Sequence, residues 1–197
     1  MPDLGSTVQG LRQRLRDLGG HWGATPDEEA ASYPCDAHLP DAEQWLYRAV
    51  TVDAPPAVVF RWLCQLRVAP YSYDWIDNRG RRSPRTLTPG LEDVAVGQRA
   101  MTIFEIVGVE PGRSITVFSR TAAFGDVAGT YAANPTDDGR TRLVAKFGTI
   151  APKSLYGEVT RDVLPLGDLV MMRKQLLTLK ELAERDAAEP AAGAAGS

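Results

Sequence analysis

The chain is predicted to be an α+β protein in which a curved antiparallel sheet folds over one long C-terminal helix and leaves a cavity between the two. Two patterns lead there. From Ser154 to about Arg185 the residues Leu155, Val159, Val163, Leu166, Leu169, Met172, Leu176, Leu179 and Ala183 recur at steps of three and four, which places them on one side of a helix. Between Gln98 and Ile150, short alternating segments are separated by clusters of turn-forming residues, as in paired strands. Such a sheet is wider than one helix can fill, and the space left over becomes a pocket. A length of 197 residues suits one domain, or at most two.

The elements follow in order. Residues 6–19 carry Val8, Leu11, Leu15 and Leu18 at helical spacing, with Ser6 or Thr7 as N-cap and Gly19-Gly20 as the stop. Arg12, Arg14 and Arg16 decorate this helix, and Asp17 among them favours docking on its own domain or on a second copy, as a homodimer, over a membrane surface. Residues 1–19 are therefore set apart from a main domain over 20–186 and a disordered Ala/Gly-rich tail over 187–197.

His21 to Pro40 reads as an irregular lead anchored by Trp22. Trp45 to Val52 alternates as a first strand, and Asp53-Ala54-Pro55-Pro56 stops it and opens a helix to about Leu66, because proline costs nothing in a first helical turn. Tyr71 to Gly80 is the densest aromatic cluster, followed by connecting chain to Gly97. Strands are then expected at Met101–Val107, Ser114–Thr121, Gly129–Ala133 and Thr141–Ile150, the first and second pairs joined by hairpin turns.

Shared parity assigns Phe104, Ile106, Ile115, Val117, Tyr131, Ala133, Leu143, Ala145 and Phe147 to the concave face, and Arg140, Arg142 and Lys146 to a solvated opposite face. In the terminal helix Pro165 and Gly167 predict a kink or break, with Asp168 in the first turn of an unbroken run beyond.

Composition narrows function. A net charge of -3 and a pI near 5.5 provide no positive field for a phosphate backbone, so nucleic acid is not an expected partner. No apolar run approaches the ~20 residues that cross a bilayer, and no leader pattern opens the chain, so a soluble, cytoplasmic protein without stable membrane insertion is expected, its two cysteines reduced. The spacing of His21, Cys35 and His38 fits no common zinc pattern, and neither a metal nor a cofactor is expected. Phosphate-loop, dinucleotide, nucleophile-elbow and H-E-x-x-H motifs are absent from the sequence.

Tyr71, Tyr73, Asp74, Trp75 and Asn78 are candidate ligand contacts, the rings offering flat apolar surface and the polar groups orienting a hydroxyl or carbonyl. The same residues equally suit a packed plug with local turn bonds. Phe104, Tyr131, Phe147 and Met172 are the candidate pocket wall. Acid/base chemistry would fall to Tyr73 or Asp74, with Tyr131, Glu105 and Glu158 also available; parity turns Glu105 to solvent.

Several segments together resemble the helix-grip (SRPBCC) superfamily of START domains, Bet v 1-like proteins and bacterial polyketide cyclase/dehydrase-like proteins. They are Trp22-Gly23-Ala24-Thr25, Arg48 to Leu63, Tyr71 to Asn78, Val109 to Arg113, Gly139 to Leu143 and Met171 to Leu177, covering roughly residues 20–186. Arg67-Val68-Ala69-Pro70 stands where similar proteins more often show a glycine-rich turn. The resemblance implies a cavity for a hydrophobic small molecule such as a lipid or polyketide, in a carrier or a polyketide cyclase-like enzyme. It carries over no catalytic set, and it includes cochaperone-like interaction modules with a closed core.

Overall fold

The computed structural model describes residues 10, 19–122, 124–153 and 155–189, apart from the side chains of 155, 156, 158–160, 162 and 163. The expected first helix falls outside these residues except for Gly10 and Gly19, as does the tail from 190 onward.

Alternation builds a seven-stranded curved sheet in the order β1-β2-β7-β6-β5-β4-β3. Its strands are β1 (His21–Trp22), β2 (Gln44–Val52), β3 (Arg99–Ala100), β4 (Phe104–Glu110), β5 (Ser114–Thr121), β6 (Gly125–Pro135) and β7 (Thr141–Ile150). All pairings are antiparallel except β1 with β2. The helices are α1 (Pro26–Ala30), α2 (Cys35–His38), α3 (Pro56–Cys64), α4 (Asp74–Asp77) and α5 (Leu155–Ala188).

Register sorts the side chains into rungs. On the concave face Ile106, Val117, Gly129, Phe147 and Leu46 form one rung, and Ile115, Tyr131, Ala145 and Arg48 the next. These pack with Val59, Trp62 and Leu63 of α3 and with Met172, Leu176, Leu179 and Leu182 of α5 in one core. The concave set expected from parity therefore lies on one face.

The other face is covered around Arg142 and Lys146, where the sequence suggested solvent, while Arg140 is exposed as expected. Thr25 caps α1 with a capping box, its hydroxyl accepting from the Glu28 amide at 3.3 Å while the Glu28 carboxylate accepts from the Thr25 amide at 2.8 Å. The chain then lays Tyr33, Cys35 and Leu39 over Ala49, Ala128, Ala132 and Val144 as a second core. Lys146 is consequently buried, with its ammonium 2.6 Å from Asp36 and 4.4 Å from the Trp45 ring centroid. Arg142 likewise pairs with Glu28 at 2.5 Å.

Other boundaries moved. The strand expected from Met101 begins at Phe104, because Met101 and Thr102 take left-handed backbone conformations with φ of 47° and 69°. The terminal helix runs without a break through Pro165. Pro165 packs on Gly19, where an added Cβ would lie 2.7 Å from the proline Cβ, and its carbonyl accepts a 3.4 Å bond from Arg48. Those outside contacts hold the helix across a residue that lacks an amide donor. Cys35 and Cys64 are free and buried in different cores, on opposite faces of the sheet.

Candidate functional site

A cavity of about 300 Å³ lies between the concave sheet and α5. Its floor is shaped by a change of side-chain size along one rung. Gly129 has no side chain, so the Phe147 ring lies over its Cα at a position where a Cβ would meet the ring at 2.2 Å. Phe147 meets Tyr131 edge to face at 5.4 Å and Phe104 at 6.1 Å, forming an aromatic floor. Met101, Met171 and Met172 supply pliant apolar wall. The exposed Ile103 and Phe124 are wall residues that also reach the surface, which marks the opening between the turn before β4 and the β5–β6 turn.

Polar groups in this wall are few. Tyr131 donates its hydroxyl hydrogen bond to Gln175 Oε1 at 2.6 Å, and Gln175 in turn donates to the Pro70 carbonyl at 2.5 Å. Burial, reinforced by the Asp168 charge, pushes the Tyr131 phenol well above its ordinary pKa, so it stays protonated. Ser119 and Thr149 stand at the ends of the rung Ser119–Val127–Thr149. Asp168, on α5, completes the set.

Asp168 is held from behind by Arg48, whose side chain is 0 % exposed on the strand parity otherwise occupied by Leu46, Val50 and Val52. The guanidinium donates to Asp168 Oδ2 at 2.9 Å, to the Gly19 and Gly20 carbonyls at 2.6 and 2.7 Å, and to the Tyr47 carbonyl at 2.9 Å; its Nε is buried and finds no partner among the described residues. Burial raises the Asp168 carboxyl to about 6 against the opposing pull of Arg48. The site thus presents one carboxylate of near-neutral pKa inside an apolar pocket, an arrangement able to hold or move a proton.

The sequence candidates divide. Phe104, Tyr131, Phe147 and Met172 lie together in the cavity wall. Tyr71, Tyr73, Asp74, Trp75 and Asn78 lie in the α4 loop, outside that wall. Tyr71 is buried edge to face against Trp62 at 5.9 Å, and Trp75 is 76 % exposed. Asp74 accepts from the Ser83 amide at 2.8 Å and from its hydroxyl at 2.5 Å, while Asn78 donates to the Arg81 carbonyl at 2.7 Å. Tyr73 precedes α4 as its N-cap residue. The loop touches the site at one remove, through a 3.0 Å bond from the Ser72 hydroxyl to the Met171 carbonyl. Glu105 is exposed, and the Glu158 side chain lies outside the described residues.

Arg48, Ser119, Thr149 and Asp168 were not among the candidates. Asp168 stands four residues before Met172 and thus on the same helix face, and Arg48 interrupts the apolar parity of β2; a charge on an apolar stripe was the available signal. Among the described residues no group of three or more His, Cys, Asp or Glu could hold a metal ion.

No family model matches the sequence, and a search of curated proteins finds no match. Solved structures do resemble it. The Zhui aromatase/cyclase from Streptomyces sp. R1128 superimposes with a TM-score of 0.51 at 20% identity, over 76% of this chain and 98% of that one. StfQ, a di-domain ARO/CYC from the steffimycin biosynthetic pathway, matches at a TM-score of 0.48 and 17% identity, over 81% of this chain and 56% of its own. Protein MLL2253 from Mesorhizobium loti gives 0.45 and 17%, over 72% and 98%. With its sheet order, its terminal helix and the overlap with the Zhui structure, the chain has a helix-grip fold, a curved sheet packed on a long C-terminal helix.

Proposed function

We propose that this protein binds a hydrophobic small molecule, a lipid, polyketide or similar compound, inside the cavity, as a carrier or as a polyketide cyclase-like enzyme. The observation that carries the reading is the cavity itself: about 300 Å³, walled by Phe104, Tyr131, Phe147 and Met172 and open to the surface beside Ile103 and Phe124. That volume is at the lower end of small-molecule pockets, and an apolar wall with a few polar groups is their usual composition. The fold shared with an aromatase/cyclase supports the same reading. An interaction module with a closed core is less favoured, since its interior would be filled.

Tyr71, Tyr73, Asp74, Trp75 and Asn78 serve this function by shaping the loop that Ser72 ties to Met171, behind the wall. Asp74 has both oxygens engaged by Ser83, and Tyr73 lies outside the cavity wall, so neither is assigned a chemical step. A cytoplasmic setting belongs to the proposal, supported by two free buried thiols. A homodimer formed through residues 1–19 also belongs to it.

Native mass spectrometry of the purified protein tests the proposal, by revealing a co-purifying small molecule and counting subunits. A neutral fluorescent probe should bind saturably, and Val127→Phe, which places a ring in the cavity, should weaken it about tenfold or more while the fold survives. A protein that takes up no probe and carries no small molecule would overturn the reading.

A further inference from the structure

The cavity's polar groups are arranged asymmetrically, and their chemistry selects among apolar ligands. Asp168 is the only charged residue in its wall among the described residues. Arg48 cannot reach a ligand, because it is fully buried behind Asp168 and its terminal nitrogens are bonded to carbonyls and to Asp168 Oδ2. Arg161, which lines a separate small crevice with Glu43 and Ala151, is paired with Glu43 at 2.9 Å. Asp168 Oδ1 has no hydrogen-bond partner among the described residues, and the side chain keeps 22 % exposure.

Two further groups are open. The Ser119 and Thr149 hydroxyls make no side-chain hydrogen bond among the described residues, and they flank Val127 two strand spacings apart, about 10 Å. A carboxylate entering this cavity would give up its hydration to meet a carboxylate, with no cation among the described wall residues to receive it. A hydroxyl or ammonium would instead donate to Asp168 Oδ1, a charge-assisted bond in an apolar surrounding.

Resting on the binding function proposed above, we propose that the cavity takes a neutral or cationic apolar molecule bearing a hydrogen-bond donor, an alcohol, phenol or amine, and rejects fatty-acid-like anions, with Asp168 as the specificity-determining residue. The donor end meets Asp168 beside α5, and a second polar group of the same molecule is met by Ser119 or Thr149.

The test is a titration of the full chain at pH 8 with 1-decanol, decylammonium and decanoate, each read by displacement of the neutral probe N-phenyl-1-naphthylamine. Decanol and decylammonium should bind about tenfold or more tighter than decanoate, and Asp168→Asn, which keeps an acceptor for Arg48, should shrink that gap to about threefold or less. Ser119→Ala with Thr149→Val should leave the discrimination against decanoate in place. Decanoate binding as well as decanol to the unaltered protein would overturn the proposal, and that comparison needs no variant to fold. A gap unchanged in Asp168→Asn would equally overturn it. A probe that binds and is displaced by none of the three compounds sinks the specificity while sparing the cavity function; a probe that never binds sinks both.

Discussion

Asp168 and Arg48 show how a single side chain decides what an apolar pocket can be. The ion pair is half inside the protein and half facing the cavity, so the acid is destabilised by burial more than Arg48 relieves it, and its pKa rises to about 6. A carboxyl whose folded pKa lies above its unfolded value binds more protons in the folded state, so stability must fall as pH rises from about 4 through about 6. Below that window the penalty is absent; above it the penalty is complete. Thermal unfolding of the protein and of Asp168→Asn should therefore converge near pH 4 and separate in favour of the variant up to about pH 7, where the difference levels off. Parallel curves across the whole range would show that the carboxylate is as well solvated as in the unfolded chain.

Among the elements, the segment over the outer sheet face behaves least as the sequence suggested. His21 to Pro40 reads as irregular because its helices are four and five residues long, too short for periodicity to register. Periodicity passes over the capping box there, Thr25-Pro26-Asp27-Glu28, a local pattern with a local cause. The segment is nonetheless a structural layer, since Leu39 and Cys35 are buried against small residues of β2, β6 and β7. Leu39→Ala should cost about 2–4 kcal/mol in urea unfolding, in the range for a buried leucine, and a change below about 0.5 kcal/mol would show that the cover is loose. Lys146 was misplaced for a related reason: parity tells which face a strand residue occupies, and only a distant segment tells whether that face is wet. The terminal helix and the hairpins were legible because each owes its signal to neighbours in the chain. The cavity wall was half legible: Phe104, Tyr131 and Phe147 follow from strand parity and Met172 from helical spacing, whereas the setting of Asp168 depends on Arg48, 120 residues away.

The whole molecule is a sheet with two unlike faces, one gripping a long helix around a space and the other sealed by a short-helix cover. One free thiol lies under each. Cys35 is beneath the cover, its amide donating to the Thr130 hydroxyl at 3.0 Å, and Cys64 ends α3 in the concave core. Burial pushes the two thiols up to about 11 and about 12, so neither reaches the thiolate form that reacts with alkylating agents while the fold is closed. Alkylation at each sulfur therefore clocks the opening of its own layer. If the cover peels away alone, Cys35 should be modified first; if the protein opens as one unit, both should react at a single rate. A compound seated in the cavity would then be expected to slow the Cys64 clock directly, and to slow that of Cys35 only to the extent that the two layers open together.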